Sequence, residues 1–352
     1  DVKTLRSEFN LGFAKACNLG AENAAGKLLC FLNNDTEVTK GWLTALVNCL
    51  KRHPQAAAAG GRLLFPDGTV QHAGIVFDKI DRIGYHIYRG FPADAPEVSR
   101  ERKVKAVTAA CMLVKKDAFK QAGGFDEDYW NGFEDVDLSL KLGESGGEIY
   151  YTPACRVIHH TSATPGRKDA DIENAQLFQR KWYDKIQPDE DIFLAEDGWR
   201  AIWEGTTCKL KKITCDIFIP FKDNPEEVEA CVEKVITNTV FPNYTIKIAG
   251  AGVDKIKYLR VLYNRVDFVE LSPLESNRDI TEWAVEHSNA DIIITIDSGM
   301  NIKSDWLIEL VKWSASVNVK GWLIRDNKLQ SIDSRRVLPA DFYDGIDGFF
   351  LR

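Results

Sequence analysis

Residues 124–140, GFDEDYWNGFEDVDLSL, concentrate carboxylates and aromatic rings in one short stretch of the chain. Six of these side chains are carboxylates, four are aromatic, and the segment then continues into a predicted helix. Carboxylates at this density can hold a cation or remove a proton from a substrate hydroxyl. The dipole of a helix start favours acids and would explain one or two of them. It does not explain the aromatic-rich approach, so we interpret the stretch as a functional loop.

Two shorter motifs also place polar groups at the ends of predicted strands. NND, residues 33–35, follows the apolar run LLCFL, and hard cations such as Mg²⁺ prefer oxygen ligands of this kind. The alternative for NND is a turn whose side chains cap the following helix. His159 and His160 end another strand, which would point their side chains to opposite faces. QHAG, residues 71–74, is a lesser candidate, because a structural role for His72 fits the sequence as well as a contact with substrate does.

Composition bounds the class of protein. The chain has 352 residues, of which 45% are apolar and 28% charged, and this suits a globular protein of roughly two domains. A net charge of −7 and a pI near 5.5 argue against a general nucleic-acid or anionic-membrane binder. No apolar run approaches the roughly 20 residues of a transmembrane helix. The eight cysteines are scattered without a CxxC pair, which predicts reduced thiols in a cytoplasmic protein and argues against a zinc site.

An internal repeat organises the chain. Residues 27–47, KLLCFLNNDTEVTKGWLTALV, and residues 291–311, DIIITIDSGMNIKSDWLIELV, each run an apolar strand into a polar turn and then into a helix that opens with Trp-Leu. A second pair of matching segments begins at Gly60 and at Lys320. Two matches in the same order predict a duplication. The charged segment 167–212 lies between the copies and is predicted to be a helical linker.

Strands alternate with helices in the second half of the chain. The runs CDIFIP, YTIKIAGAG and VDFVEL, which begin at Cys215, Tyr244 and Val266, predict buried strands with helical stretches between them. This alternation predicts an α/β fold whose mostly parallel sheet is flanked by helices. Ligands of such sheets bind at the carboxyl ends of the strands, which is where residues 33–35 fall.

Three segments, taken in order, resemble one enzyme family. They are FNLGFAKACNLGAENAAGKLLCFLNNDTEV from Phe9, GGFDEDYWNGFEDVDLSLKL from Gly123 and YYTPACRVIHHTSAT from Tyr150. Together they closely resemble the family 2 glycosyltransferases of the GT-A fold. The resemblance implies a Rossmann-like sheet flanked by helices, present as two incomplete copies. It also implies an inverting, metal-dependent transfer of a sugar from a nucleotide-diphosphate sugar to a glycan or other hydroxyl acceptor, in polysaccharide biosynthesis.

The resemblance assigns roles to individual residues. Asp35 matches the last acid of the family's metal motif, and His159 matches a late metal-coordinating histidine. A divalent cation held there, Mg²⁺ or Mn²⁺, would neutralise the departing nucleoside diphosphate. Asp135 matches the base that removes the acceptor's proton, and Glu134 is expected to orient the acceptor. The expected catalytic residues are Asp135 and Glu134, and the expected metal ligands are Asp35 and His159. The residues expected to contact the donor are Asn10, Asn18, Asn33 and Asp35. Those expected to contact the acceptor are Asp126, Trp130 and Glu134.

Each copy departs from the complete family pattern. The first module, residues 1–166, lacks the family's first strands but carries the metal motif and the base loop. The second module, residues 213–352, has those first strands, but it has Gly299 at the position that corresponds to Asp35 and stops before a base loop. We expect a fragment of a tandem enzyme. The alternative is that the two incomplete modules cooperate in one site.

The expected partners are a nucleotide-diphosphate sugar and a glycan or lipid-linked acceptor, without nucleic acid. The expected location is the cytoplasm, with peripheral association at the inner face of the membrane. A non-catalytic glycan- or nucleotide-binding scaffold made of degenerate modules is the alternative function. A sugar nucleotidyltransferase is a third alternative, and the absence of its Gly-rich amino-terminal phosphate loop from the sequence argues against it.

Overall fold

The structure is a computed structural model, and the chain divides into two compact units, Asp1–Glu190 and Asp191–Arg352. The described residues are 2–160, 170–204, 207–272, 277–299, 302, 304, 306–316, 322–325, 328–331 and 346–351. The end of the third sequence motif, residues 161–164, therefore lies outside the described residues. So does the start of the predicted linker, residues 167–169.

The first unit is built from short strands and helices. Its strands are β1 (Leu28–Leu32), β2 (Thr36–Val38), β3 (Ala56–Leu64), β4 (Val70–His72), β5 (Ile75–Phe77), β6 (Gly84–His86), β7 (Arg102–Val104), β8 (Cys111–Lys115) and β9 (Glu148–His159). Its helices are α1 (Gly12–Asn23), α2 (Trp42–Arg52), α3 (Lys116–Gln121), α4 (Glu134–Glu144) and α5 (Asp171–Trp182). The run LLCFL forms β1, so NND is the turn between β1 and β2, as the sequence predicts.

Seven strands of this unit form one mixed sheet. Its order is β1-β8-β3-β9-β2, with β4 beside β3 and β7 beside β9. Among these described strands β3 and β9 alone pair in parallel, and the other pairs are antiparallel. The α/β class is confirmed, but the expectation of a mostly parallel sheet is wrong for this unit. β8 inserts between β1 and β3 and runs against both, and the short strands β2, β4 and β7 also pair antiparallel with their neighbours.

Helix α2 packs against the sheet with its apolar face. Leu46, Cys49 and Leu50 recur at helical spacing, and all three are buried. Within the sheet, Gly61 lets β3 lie close to Cys155 of β9, because a Cβ at position 61 would clash with the Sγ of Cys155. This packing fixes β3 and the neighbouring strands, and β9 in turn pairs with β2 next to the NND turn.

Helix α5 belongs to the first unit although the sequence places it in the linker. Phe178 and Trp182 of α5 are buried in one cluster with Phe77 and Tyr129. Trp182 Nε1 also donates to Asp137 in α4 over 2.8 Å. These contacts attach α5 to the segment that leads into α4.

The end of the predicted helical linker is a hairpin. After α6 (Glu190–Glu196), strands β10 (Trp199–Glu204) and β11 (Thr207–Lys212) pair antiparallel. The prediction of helix is wrong for these residues, because they pair with each other as two strands, from Trp199 opposite Lys212 to Glu204 opposite Thr207.

The second unit continues with helices α7 (Pro225–Asn238), α8 (Leu259–Leu262), α9 (Asn277–His287) and α10 (Trp306–Ser316). Its further strands are β12 (Cys215–Pro220), β13 (Tyr244–Gly250), β14 (Val266–Glu270), β15 (Ile292–Ile296), β16 (Trp322–Arg325), β17 (Lys328–Ser331) and β18 (Ile346–Leu351). The three strands predicted from sequence are β12, β13 and β14. No helix in the described part of either unit is long and apolar enough to cross a bilayer.

The sheet of the second unit has the order β14-β13-β12-β15-β18-β16-β17. From β14 to β15 neighbouring strands are parallel, as expected, and from β15 onward they are antiparallel. The elements β15, α10, β16, β17 and β18 connect and pair in the same way as β1, α2, β3, β4 and β8. Two copies of one module would share this connectivity, which supports the duplication, and the duplication itself stays a prediction.

Candidate functional site

Strand pairing brings Asp35 and His159 together at the β2 end of the first unit's sheet. β2 pairs with the end of β9, where Thr36 lies opposite His159. The backbone N–H of His160 donates to the carbonyl of Asp35 over 3.0 Å. As a result, His159 Nε2 lies 3.0 Å from Asp35 Oδ1 although the residues are 124 positions apart. His159 is buried and His160 is exposed, as alternation along a strand predicts.

Gln71 in β4 fixes the orientation of the His159 ring. Its Nε2 donates to the His159 carbonyl over 3.2 Å, and its Oε1 lies 2.6 Å from His159 Nδ1. Because an amide oxygen only accepts, Nδ1 carries a proton in this arrangement, with the amide orientation assigned from its hydrogen bonds. In the neutral ring, Nε2 then presents its lone pair toward Asp35. Metal-ligating histidines are commonly held in this way through their other ring nitrogen.

The site formed by Asp35 and His159 fits a divalent cation. Both facing atoms are acceptors when the ring is neutral, so a cation or a second ring proton is needed to make their approach favourable. Two neighbouring ligands of an octahedral ion with bonds of about 2.1 Å lie about 3 Å apart. Asn33 Nδ2, an amide N–H donor, lies 3.4 Å from His159 Nε2, so Asn33 presents no ligand atom to the cation in this arrangement. A carboxylate oxygen and an imidazole nitrogen are ligands that suit Mg²⁺ or Mn²⁺.

His159 also lines a pocket of about 360 Å³ in the first unit. The predicted residues Asp135 and Glu134 line the same pocket, whereas Asp35 contacts His159 without being part of the lining. Pockets that bind small molecules measure about 300–1,000 Å³. The structure therefore brings the predicted base, the residue beside it and one predicted metal ligand to one space of suitable size.

The backbone fixes the Asp135 carboxylate at the start of α4. Phe133, directly before the helix, has a φ of 72°, which turns the chain into Glu134. Asp135 Oδ2 accepts from the Ala109 N–H over 3.0 Å, and Oδ1 accepts from the Val136 N–H over 2.9 Å. Each oxygen keeps a further lone pair, so the carboxylate is oriented and can still accept a proton.

The structure places Asp126 and Trp130 outside the pocket lining. Asp126 Oδ2 lies 2.5 Å from Lys181 Nζ and 3.5 Å from Lys141 Nζ. Burial raises the pKa of Asp126, but hydrogen bonds from Lys181 and a backbone N–H outweigh it, and the pKa lies below its usual value. The Trp130 ring packs on Gly12, where an added Cβ would lie 2.9 Å from it. Both residues shape the acidic loop, and their contact with an acceptor stays a prediction.

Asn10 and Asn18 also lie apart from this pocket. Asn10 Oδ1 accepts from the Gly12 N–H over 3.0 Å at the start of α1. Asn18 holds Phe125 by two bonds, accepting from its N–H over 3.0 Å and donating to its carbonyl over 2.9 Å. Asn18 lines a separate pocket of about 320 Å³. Their proposed contact with the donor stays a prediction.

Sequence reasoning missed several residues of the pocket. They are His86, Arg89, Thr108, Asn131 and Asp171. Asn131 had a usable signal, because Asn-Gly is a turn dipeptide inside the acidic stretch. His86 and Arg89 lie in and after β6, far along the chain from every motif, and only the tertiary structure brings them to the site.

His72, beside Gln71, is buried against His86. It is fully buried, and its Nδ1 lies 2.8 Å from Nδ1 of His86. Burial lowers the pKa of His72, and the nearby His86 lowers it further. The ring is therefore neutral, and one imidazole of the pair donates to the other. His86 lines the pocket, and His72 is not part of its lining.

A separate cluster lies near the end of α2. Cys49, His53 and Glu101 are the one group of three potential ligands that the described residues bring within 4.8 Å of one another. Glu101 accepts from Arg52 Nε over 3.1 Å and lies 2.9 Å from His53 Nε2. Burial raises the pKa of Glu101, but hydrogen bonds from Arg52 and His53 lower it to about 2. The carboxylate is thus already bound in an ion pair, apart from the pocket.

In the second unit, Asp297 and Gly299 follow β15 as Asn33 and Asp35 follow β1. Asp297 Oδ1 accepts from the Gly299 N–H over 3.0 Å, and its Oδ2 lies 3.6 Å from Nζ of Lys222, which follows β12. Gly299 offers no side-chain ligand. Among the described residues of this unit, a lysine is the cationic group next to the motif carboxylate.

Residues 1–123 match the family described as Glycosyl transferase family 2. The chain is 41% identical over 152 residues to the O-antigen biosynthesis protein RfbC of Myxococcus xanthus, a match that covers 42% of this chain and 12% of that protein. It is 32% identical over 192 residues to the N-acetylglucosaminyl-diphospho-decaprenol L-rhamnosyltransferase of Mycobacterium tuberculosis, covering 48% of this chain and 62% of that protein. The chain thus spans less than two thirds of either relative. A solved structure of GalNAc-T7 with UDP, GalNAc and Mn²⁺ aligns with 55% of this chain and 38% of its own at 18% identity and a TM-score of 0.41.

Proposed function

We propose that this chain, whose residues 1–123 belong to glycosyl transferase family 2, transfers a sugar from a nucleotide-diphosphate sugar to a hydroxyl acceptor. One observation carries the proposal: His159 contacts Asp35 and lines the same pocket as Asp135. The names of the relatives, an O-antigen biosynthesis protein and a rhamnosyltransferase, support a place in polysaccharide biosynthesis.

On the donor side, we propose that Asp35 and His159 hold Mg²⁺ or Mn²⁺ and that Asn33 contacts the donor. The cation would supply a Lewis acid that offsets the charge developing on the nucleoside diphosphate as it leaves. The chain's own contribution is to hold the two ligand atoms 3.0 Å apart and to keep the proton of His159 on the Gln71 side. Asn10 and Asn18 remain proposed contacts further along the donor.

On the acceptor side, we propose that Asp135 accepts the proton of the attacking hydroxyl. Direct attack on the anomeric carbon inverts its configuration, and one carboxylate base suffices for that reaction. Glu134 is mostly buried and lines the pocket beside Asp135, a place from which it can orient the acceptor. Asp126 and Trp130 remain proposed acceptor contacts outside the lining.

For the substrates, we propose a hexose or deoxyhexose donor and a glycan or lipid-linked acceptor, because the rhamnosyltransferase relative is named for such a reaction. We propose a cytoplasmic location at the inner face of the membrane, where the enzyme would encounter a lipid-linked acceptor. We also retain as a proposal that the chain carries two modules, of which the second, at 213–352, is degenerate, whereas the first includes α5 and extends to Glu190.

The test is replacement of Asp135 by Asn, which keeps the size of the side chain and removes its basicity. We expect the release of nucleoside diphosphate from an active nucleotide-diphosphate sugar to fall at least about 100-fold, as for loss of a general base. Asp128→Asn, an exposed carboxylate of the same acidic loop, is the matched control and should keep full turnover. Unchanged turnover in Asp135→Asn would refute the assignment. Binding of nucleotide sugars by the unaltered chain without any turnover would favour the scaffold alternative.

A further inference from the structure

Asn174 in helix α5 holds the loop that leads into α4. Its side chain is buried, with an exposed fraction of 3%. Nδ2 donates to the Trp130 carbonyl over 2.9 Å, and Oδ1 accepts from the Trp130 N–H over 3.1 Å. Both backbone polar groups of one loop residue are thus held by one amide, 44 positions further along the chain. Asn and Gln are the side chains that offer a donor and an acceptor side by side for such a contact.

The loop held by Asn174 has an uncommon backbone. Asn131 has a φ of 55° and Phe133 a φ of 72°, both in the left-handed region that residues other than glycine rarely adopt. Such conformations persist where the surroundings fix them, and they cluster at binding and catalytic sites. Trp130 directly precedes the first of these residues. Asn174 therefore fixes the loop at the point where its uncommon conformation begins.

Two helices fix the rest of this loop. Asn131 Oδ1 accepts from the Phe13 N–H in α1 over 2.9 Å. The centre of the Phe133 ring lies 5.2 Å from the centre of the Phe178 ring in α5. The loop is thus held between α1 and α5 immediately before α4 begins.

The residues held in this way form one wall of the pocket. Residues 131–136 all line it, and so does Asp171, three positions before Asn174 on α5. Positions i and i+3 are neighbours on a helix surface, so the same side of α5 places Asp171 in the pocket lining and Asn174 against the loop. Asn174 itself is not part of the lining, and its influence on the pocket passes through Trp130.

We propose that Asn174 is a positioning residue, which holds Trp130 so that the loop presents Asp135 and Glu134 to the acceptor hydroxyl. This inference rests on the proposed function and adds to it an acceptor-side residue that lies outside all three sequence motifs. A shift of the loop would move the Asp135 carboxylate, whereas Asp35 and His159 are placed by β2 and β9 and would stay.

The test replaces Asn174 by Asp and by Ala. Asp keeps the size and one acceptor but directs an oxygen at the Trp130 carbonyl, and Ala removes both bonds. Glu173→Gln, exposed at the neighbouring position of α5, is the control. We expect kcat for nucleotide-sugar turnover to fall about 10- to 100-fold in both Asn174 variants. The Kd for UDP with Mn²⁺, or for whichever nucleotide the unaltered chain binds, should stay unchanged, which a general loss of structure would not allow.

Hydrogen exchange gives a second measurement that needs no turnover. The amides of residues 130–136 should exchange faster in Asn174→Asp than in the control, and those of residues 33–38 should not. Unaltered kcat, unaltered exchange at 130–136, or a joint loss of turnover and nucleotide binding would each overturn the proposal. If the unaltered chain turns over no nucleotide sugar, the proposed function fails, and the exchange rates alone then decide whether Asn174 holds the loop.

Discussion

Gln71 determines which nitrogen of His159 faces Asp35. Its Oε1 accepts the Nδ1–H of His159, with the two heavy atoms 2.6 Å apart, and its Nε2 donates to the His159 carbonyl over 3.2 Å. An imidazole left without these bonds could rotate or exchange its proton between the two nitrogens. The orientation of one predicted metal ligand thus depends on a residue 88 positions away.

We predict that Gln71→Leu weakens metal-dependent nucleotide binding by about 10- to 100-fold, the usual effect of losing the partner of a metal-bound histidine. Gln71→Glu keeps an acceptor for the Nδ1 proton and should retain more of the affinity. Titration of Mn²⁺ in the presence of nucleotide measures the effect. Gln55→Leu, at an exposed position, is the control. Equal affinity in Gln71→Leu and in the control would show that the ring needs no such partner.

Sequence reasoning found the residues of this site unevenly. Asp35, Asp135 and His159 lie in motifs, so their types and order point to the chemistry. The sequence makes Gln71 only a lesser candidate and gives no signal for Asn174, because a buried amide shows its role only through its tertiary contacts. Those contacts join residues that are far apart in sequence, where no local pattern can reveal them.

At the scale of elements, the ion pair of Glu101 ties the end of α2 to the segment before β7. Arg52 and His53 both bond its carboxylate, and they lower its pKa to about 2 against the effect of burial. A carboxyl whose pKa is lower in the folded state stabilises the fold fully above its unfolded pKa. That contribution is lost as the pH falls through the folded value.

We predict that Glu101→Gln lowers the free energy of unfolding by about 1.5–3 kcal/mol at pH 7, the usual contribution of hydrogen bonds to a charged group. The difference from the unaltered chain should shrink as the pH falls from 4.5 toward about 2, the range between the ordinary and the lowered pKa. Denaturant unfolding between pH 7 and about 3 tests the upper part of this range. Glu22→Gln, exposed on α1, is the control. A difference that stays constant with pH would contradict the assigned cause.

The sequence predicts individual helices and strands well, and it predicts their arrangement in the sheets less well. The runs that predict β1, β12, β13 and β14 and the periodic residues of α2 give these elements close to their observed bounds. The insertion of β8 between β1 and β3 was not foreseen, because strand order depends on which edges pair and not on local periodicity. The β10–β11 hairpin was missed because its charged residues resemble those of a linker.

At the scale of the whole molecule, the two units differ in what they offer for chemistry. The first unit combines a carboxylate–histidine pair with a pocket lined by Asp135. The second unit repeats the connectivity of the β1–α2–β3 region, yet it has Gly299 and a nearby lysine at the corresponding turn. We therefore place the proposed transfer reaction in the first unit, and we propose no catalytic role for the second.

The central claim is that Asp35 and His159 hold a cation that binds the donor nucleotide. Calorimetric titration with UDP, dTDP and GDP, with and without Mn²⁺, tests it on the unaltered chain, on Asp35→Ala and on Asp128→Ala as control. We predict that at least one nucleotide binds only with Mn²⁺, and that Asp35→Ala loses at least about 10-fold in affinity while the control does not. Nucleotide binding that does not depend on Mn²⁺, equal nucleotide affinity in Asp35→Ala, or no nucleotide binding to the unaltered chain would contradict the account.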